Sequence, residues 1–214
     1  MIPVTAQSEP VQFDAEVREK GKSFLAACPN PTSKQFESRA YWREILADLY
    51  TQYGRICAYS CQWISPPPTG FRSVEHYKSK TKYPQLAYEW SNYRLVCGTL
   101  NGCKGDHEDV LDPFEIQTGW FVLQFPSLLV VPGEELSAYR KKQVKKTIDR
   151  LKLNDETVCL SGRWVWLEEY LRIRSEAAET VAFSYLERRA PFLATELDRQ
   201  SLRGQAPKIF RSRE

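Results

Sequence analysis

Three consecutive prolines at 66–68 constrain the fold of this 214-residue chain more than any other sequence feature. They lie in the sequence SPPPTG, and proline lacks the amide hydrogen that helices and central strands use. The run is therefore a loop, which leads into the short segment FRSVEH at 71–76. The β-type residues of NYRLVC at 92–97 follow, and the sequence after them favours the start of a helix. The centre of the chain is thus predicted to run strand, loop, strand, helix.

Helical patterns flank this centre on both sides. Apolar residues recur near helical spacing over 33–53, which predicts one amphipathic helix. A second helix is predicted over 134–153, where lysine and arginine crowd the surface around an apolar stripe, and a further helical region over 163–189. Two short strands are predicted around Pro126. The expected fold class is α+β, with a small mixed centre embedded in a mostly helical chain.

The charge balance excludes a strongly basic nucleic-acid-binding chain, because 30 Lys and Arg residues face 27 Asp and Glu residues. Any basic surface must be local, and a basic helical face such as that of 134–153 is more often solvated than functional. No stretch approaches the roughly 20 apolar residues that span a bilayer, and the N-terminus lacks the pattern of a signal peptide. We therefore expect a cytoplasmic protein with no membrane partner.

Reactive side chains are concentrated in about a quarter of the chain. Four of the six cysteines and both histidines lie between Cys57 and His107. A cytoplasmic chain of this size does not need disulfides, so metal ligation or free thiols are the better interpretation of the cysteines. The interval 72–104 carries six basic and two acidic residues among several aromatic ones. This composition suits binding to the phosphate backbone and the unstacked bases of a nucleic acid, and Arg94 is one candidate contact. The same composition also fits a solvated loop whose aromatic residues belong to the core.

The adjacent residues Glu75 and His76, with Asn101 further along, have the side-chain types of a phosphodiester-cleaving site. Mg²⁺ prefers oxygen ligands, and Glu75 and Asn101 could hold it while leaving positions for phosphate and water. An imidazole with a pKa of about 6.5 suits the general base that deprotonates the attacking water, so His76 is the candidate base. Adjacent strand residues point to opposite faces, so Glu75 and His76 serve one site only if the strand ends or bends there.

The order of these motifs resembles that of HNH endonucleases, and specifically the branch of the Septu PtuB and retron-associated HNH proteins. The matching residues are Glu-His at 75–76, Tyr-Pro at 83–84, Glu-Trp-Ser-Asn at 89–92, Cys97, Asn101 and Lys-Gly-Asp at 104–106. The resemblance implies a small core of ββα-metal architecture. It also implies metal-dependent hydrolysis of DNA or RNA, with Mg²⁺ or another divalent cation such as Mn²⁺ as the cofactor.

The resemblance also implies a role for individual residues. His76 would be the general base, and Asn92 would orient the region around it. Glu75 and Asn101 would bind the catalytic metal. His107 is a rival for the position of Asn101, but on a helix that begins near Asn101 it would face away from the site.

Partners follow from the same resemblance. Lys80 and Lys104 would contact the phosphate groups of a nucleic-acid substrate. PtuB-like proteins work with a PtuA-like ABC/SMC-type ATPase in bacterial anti-phage defence, and retron versions also work with a reverse transcriptase and its RNA–DNA product. We therefore expect an N-terminal helical region at 1–54, the nuclease core at 55–117, and a mainly helical region at 118–214 that docks the partner.

Members of this branch commonly carry two Cys-x-x-Cys knuckles that hold a structural zinc ion. The cysteines near the motif are Cys57, Cys61, Cys97 and Cys103. Ser60 and Leu100 stand where the second cysteine of each knuckle is expected, and the spacing between the last two cysteines exceeds that of a tight knuckle. We therefore expect no structural zinc, with apolar packing of Leu100 and Trp63 in its place. The alternative interpretation is a non-catalytic, zinc-ribbon-like module that binds nucleic acid or protein.

Overall fold

The computed structural model describes residues 1–67 and 70–210 and has an α+β fold, as predicted. The chain forms two compact units. We call them the cleft unit, which comprises residues 5–58 and 64–108, and the helical unit, which comprises residues 1–4, 59–63 and the chain from 109 onward. Most of the predicted N-terminal region and most of the predicted nuclease core therefore lie in the same unit.

Short helices form the first half of the cleft unit. They are α1 (Glu19–Ala27), which continues a π-helical turn at Asp14–Arg18, then α2 (Ser33–Glu37) and α3 (Leu46–Gln52). Thr32 is the N-cap of α2 and forms a capping box with Gln35. The Thr32 hydroxyl accepts from the Gln35 backbone amide, and the Gln35 side chain accepts from the Thr32 backbone amide.

The single helix predicted over 33–53 is wrong. Ser38 Oγ donates to Gln35 O at 2.8 Å, a local bond that competes with helix continuation, and α2 ends at Glu37. A 3-10 turn at Tyr41–Arg43 then separates α2 from α3. The broken path still buries the apolar set of Phe36, Trp42, Ile45 and Leu49. Apolar spacing cannot distinguish this series of turns from one continuous helix.

A two-stranded antiparallel sheet and a helix form the rest of the cleft unit. β1 (Arg72–His76) pairs with β2 (Tyr93–Cys97), and α4 (Gly98–Lys104) follows β2 directly and packs on both strands. Gly98 permits this close turn, because a Cβ there would lie 1.8 Å from a ring carbon of Phe71. The predicted order of strand, loop, strand and helix is confirmed.

A second antiparallel hairpin begins the main part of the helical unit. It consists of β3 (Phe121–Gln124) and β4 (Leu129–Pro132), as predicted around Pro126, and α5 (Ala138–Arg150) packs on β4. The later helices are α6 (Ser161–Glu176), α7 (Glu179–Arg189), α8 (Pro191–Arg199) and α9 (Ala206–Ile209). No helix among the described residues is long and apolar enough to cross a membrane.

Candidate active site

A cleft of about 470 Å³ lies along β1 in the cleft unit. Its lining includes four residues that the sequence analysis selected, namely Glu75, His76, Lys80 and Asn101. They come from three segments, which are the end of β1, the loop after it, and α4. The predicted general base and both predicted metal ligands are thus among the residues that line one cleft.

Glu75 and Ser73 lie on the same face of β1, because alternate residues of a strand share a face. Helix α4 covers this face. Asn101 Nδ2 donates to Ser73 Oγ at 2.7 Å, and Lys104 Nζ lies 2.6 Å from Glu75 Oε1. The spacing of three residues between Asn101 and Lys104 puts both side chains on the side of α4 that faces β1. Glu75 and Asn101 therefore border the cleft from two packed elements.

The Glu75 carboxylate and the Asn101 amide oxygen are the groups that would hold a divalent cation, since both are hard oxygen donors. The bond from Asn101 Nδ2 to Ser73 leaves the amide oxygen as the ligating atom. Within residues 1–67 and 70–210, no three His, Cys, Asp or Glu side chains are grouped as a metal cage. A divalent ion held by only these two donors would take its other ligands from water or phosphate.

Lys104 and Glu75 form a buried ion pair, and each residue is only 1% exposed. The Lys104 ammonium also donates to the carbonyl oxygens of Tyr77 at 2.8 Å and His76 at 3.1 Å. This cation therefore fastens the end of β1 to the last turn of α4. It also offsets the charge of Glu75 in a place that water hardly reaches.

His76 leaves the opposite face of β1, and the strand ends at this residue. Its ring packs edge-on against Trp42 and Tyr93, with ring centres 4.6 and 5.1 Å away. Nε2 lies 2.9 Å from Ala87 O, and because a carbonyl oxygen only accepts, Nε2 carries the hydrogen and Nδ1 keeps its lone pair. Burial, followed by the charge of Lys80, lowers the pKa of His76 to about 3. The ring is therefore neutral near pH 7.

Asn92 holds the backbone of the loop that carries Ala87, whose carbonyl oxygen accepts from His76. Its Oδ1 accepts from Lys78 N at 2.7 Å, and its Nδ2 donates to Lys78 O and to Leu86 O, both at 3.0 Å. The hydroxyl of Tyr93 also donates to Ala87 O, at 2.8 Å. The neighbourhood of the His76 ring is thus held by side chains whose polar atoms bind backbone groups.

The three predicted phosphate contacts differ in accessibility. Lys80 lines the cleft, with its ammonium 5.7 Å from the centre of the Trp42 ring. Arg94 and Lys104 are buried, and the Arg94 guanidinium donates to Ser91 O at 2.8 Å and to Tyr93 O at 2.9 Å. A side chain committed to backbone carbonyls in the interior does not reach a phosphate group, so Lys80 is the accessible one of the three.

The cysteines of the predicted knuckles fall in both units. Cys57 and Cys97 lie in the cleft unit, where Cys57 Sγ accepts from the Cys97 amide at 3.4 Å. Cys103 lies on α4, whereas Cys61 belongs to the helical unit and its Sγ accepts from Ile2 N at 3.4 Å.

The residues expected to pack in place of zinc also fall in both units. Leu100 is buried in the cleft unit, as expected. Trp63 instead packs in the helical unit against Trp166, and the Arg189 guanidinium lies 3.8 Å from the centre of its ring.

His107 lies beyond α4, which ends at Lys104, and its side chain is exposed. We expected His107 to lie on this helix and to face away from the site. The helix ends three residues before His107, so the argument from helix geometry does not apply.

The cleft lining also includes residues to which the sequence analysis gave no role, among them Trp42, Ser73 and Asp106. Ser73 could have been found from its position two residues before Glu75, which puts it on the same strand face. Asp106 Oδ1 accepts from Ser79 Oγ at 2.6 Å. Trp42 reaches His76 through the tertiary fold, and no local signal connects the two.

Comparison with known proteins finds no family model that matches this chain and no similar curated protein. The geometry of the cleft, together with the motif order, is therefore the basis for assigning a function.

Proposed function

We propose that this protein is a divalent-metal-dependent endonuclease of the HNH type, which hydrolyses phosphodiester bonds in DNA or RNA. The observation that carries the proposal is that Glu75, His76 and Asn101 all line one cleft. Glu75 and His76 lie on β1 of an antiparallel hairpin, and Asn101 lies on the helix that follows the hairpin directly and packs on it. This order of elements is the one that the resemblance to ββα-metal nucleases implies.

Glu75 and Asn101 would hold Mg²⁺ or Mn²⁺ from β1 and α4. When bound, such an ion supplies charge that stabilises the transition state and the departing oxygen. Ser73 orients the Asn101 amide, and Lys104 fixes the Glu75 carboxylate. In this proposal Lys104 positions Glu75 and the backbone of β1, which replaces the phosphate contact implied by the resemblance.

His76 would accept the proton of the attacking water at Nδ1. The Ala87 carbonyl holds the Nε2 hydrogen and leaves Nδ1 as the accepting nitrogen. A pKa of about 3 makes this imidazole a weaker base than the free side chain, so the proposal requires the negative charge of a bound substrate phosphate to raise that pKa. Asn92 supports the orientation of His76 by hydrogen bonds to the backbone of Lys78 and Leu86, the two ends of the loop between them. Lys80, on the cleft, would contact the substrate phosphate.

The proposed cellular role is that of an effector in bacterial anti-phage defence of the Septu or retron type. A PtuA-like ATPase would be the partner, and a retron reverse transcriptase with its RNA–DNA product would join in retron versions. The chain has no P-loop sequence, so ATP hydrolysis in such a complex is assigned to the partner. The helices of 118–214 are the proposed docking surface.

The test compares the two histidines of the chain. We expect His76→Asn to lower the cleavage rate by about 10² to 10⁴, because a general base contributes roughly this factor. Asparagine is preferred to alanine because His76 fills the space between Trp42 and Tyr93. His107→Ala is the matched control, since its side chain is exposed and lies outside the cleft lining.

The assay incubates the purified chain, alone and with a candidate PtuA-like ATPase, with plasmid, single-stranded DNA and total RNA. Each reaction is run with Mg²⁺, with Mn²⁺ and with EDTA, and thermal unfolding checks that both variants fold. Cleavage by His76→Asn at the wild-type rate would overturn the assignment. Tight binding without cleavage in every arm would favour the binding-module alternative.

A further inference from the structure

Helix α5 of the helical unit carries six basic residues and a single acidic residue, Asp149. The basic residues are Arg140, Lys141, Lys142, Lys145, Lys146 and Arg150. Both arginines are engaged within the unit. The Arg140 guanidinium lies 3.9 Å from the centre of the Trp120 ring, and Arg150 pairs with Asp109 at 3.2 Å. The four lysines are the charges that remain to be explained.

These four lysines, which we call the α5 basic face, have no ion-pair partner within residues 1–67 and 70–210. Lys142, Lys145 and Lys146 are exposed, and Lys141 is partly exposed. Because each residue turns a helix by about 100°, the three exposed lysines fall within one arc of roughly 100°. Tyr139, which is 70% exposed, lies beside this arc.

Helix α6 of the same unit forms ion pairs between its surface charges. Its Arg172 pairs with Glu169 at 2.7 Å and with Glu176 at 3.0 Å, on neighbouring turns. On α5 the same spacing brings lysine next to lysine, at 141 and 145 and again at 142 and 146. Like charges four residues apart destabilise a helix, so the α5 basic face is a local cost to folding that an external anion would relieve.

We infer that the α5 basic face binds the phosphate backbone of nucleic acid, as a second contact surface besides the cleft. A regular row of ammonium groups suits a regular row of phosphates, and release of counterions from the nucleic acid favours the complex. Tyr139 adds an aromatic ring on which an unpaired base can stack. The inference rests on the proposed function only for the choice of nucleic acid as the anion. It assigns this face to affinity, with no part in the chemistry.

The experiment measures binding by the full chain to a labelled 30-base-pair DNA duplex in EDTA, over a series of salt concentrations. The test variant is Lys142→Gln with Lys145→Gln and Lys146→Gln. The matched control is Lys152→Gln with Arg188→Gln and Lys208→Gln. The control removes the same number of exposed cations from the same unit and leaves α5 unchanged.

For the test variant, we expect the Kd at about 0.1 M salt to rise at least tenfold. The slope of log K against log salt should fall by about 2 to 3, since each lost phosphate contact removes about 0.9. The control should keep the wild-type slope within about half a unit. Equal Kd and slope for the two variants, or no binding by the wild-type chain, would overturn the inference.

Failure of the inference is distinguishable from failure of the proposed nuclease. Binding is measured in EDTA, without the metal that cleavage requires. A chain that binds through α5 and does not cleave would support this inference and argue against the nuclease. A test variant that cleaves at the wild-type rate with saturating substrate, but binds weakly, would support both.

Discussion

The chain contains two arrangements of an antiparallel hairpin followed by a helix that packs on it, one in each unit. The cleft unit has β1–β2–α4, and the helical unit has β3–β4–α5. The strands are of similar length, but the connections are not. Residues 77–92 join β1 to β2, whereas only residues 125–128 join β3 to β4. The longer connection supplies Lys80 and Ala87 to the neighbourhood of His76.

The two arrangements differ most in what they bury. Besides apolar side chains such as Leu95 and Leu100, the first encloses the polar side chains of Glu75, His76, Asn92, Arg94 and Lys104. The second encloses mainly the apolar side chains of Phe121, Leu123, Val130, Val144 and Ile148. Apolar burial is non-directional, whereas each buried polar group needs a partner at a defined distance and angle. The same frame therefore gives a packed core in one unit and an oriented set of polar groups in the other.

This difference shows that a hairpin and a helix do not by themselves make a site. Both arrangements even use an asparagine in the same way. Asn92 binds both the amide and the carbonyl of Lys78, and Asn154 binds both the amide and the carbonyl of Val130. The Asn92 contact braces a loop beside the cleft, while the Asn154 contact braces β4. Function depends on which groups the braced backbone holds.

The largest effect is expected from breaking the buried ion pair of β1–β2–α4. Lys104→Met removes the ammonium that offsets Glu75, and loss of one partner of a buried pair costs about 3 to 5 kcal/mol. We expect the free energy of unfolding, measured with urea, to fall by this amount. A loss below about 1 kcal/mol would show that Glu75 does not depend on this cation.

A double variant makes the first arrangement more like the second. Glu75→Leu with Lys104→Met replaces both charges by apolar groups, which is often neutral for stability. The carbonyl oxygens of His76 and Tyr77 lose a donor in this variant, so we expect recovery of about half of the lost stability. Cleavage should be absent in the double variant, because the proposed metal ligand is gone. A cleaving double variant would contradict the role of Glu75.

Substitution of Asn92 and of Asn154 also tests the comparison of the two arrangements, with a smaller expected effect on stability. Asn92→Ala removes three hydrogen bonds, and Asn154→Ala removes the two that hold Val130. At about 1 kcal/mol per bond, both variants should lose roughly 2 to 3 kcal/mol of unfolding free energy. Only Asn92→Ala should also lower the cleavage rate per folded molecule. Equal cleavage by the two variants would mean that the His76 region does not need this brace.

Much of the fold could be predicted because its signals are local. The β-type residues of 92–97 and the apolar stripe of α5 each indicate their own element, and the prolines at 66 and 67 mark a loop. The predicted loop continues through residues 68 and 69, which lie outside the described residues. The break between α2 and α3 could not be predicted in this way, because it depends on a side-chain bond of Ser38 and on the burial of Trp42.

The site, too, could be predicted only where its signals are local. Residue types and spacing indicated Glu75, His76 and Asn101, and all three line one cleft. Burial of Arg94 and Lys104 is a tertiary property, and a positive charge in a sequence does not reveal whether a carbonyl or a phosphate will receive it. The long connection that brings Ala87 to His76 is likewise visible only in the folded chain.

The smallest expected effect concerns the surface of the second arrangement, where Lys142→Glu should stabilise the protein. The change removes a repulsion with Lys146 four residues on and creates an attraction of the favourable orientation, each worth about 0.2 to 0.5 kcal/mol. We therefore expect the unfolding free energy to rise by about 0.5 kcal/mol at low salt, and less as salt screens the pair. Lys142→Gln is the control, because it removes only the repulsion and should give about half of the gain. If the lysine at 142 is kept for nucleic acid, the more stable glutamate variant should bind the duplex more weakly than the glutamine variant. A glutamate variant that is no more stable than wild type would mean that the α5 basic face carries no internal repulsion, and its row of lysines would then need no external anion.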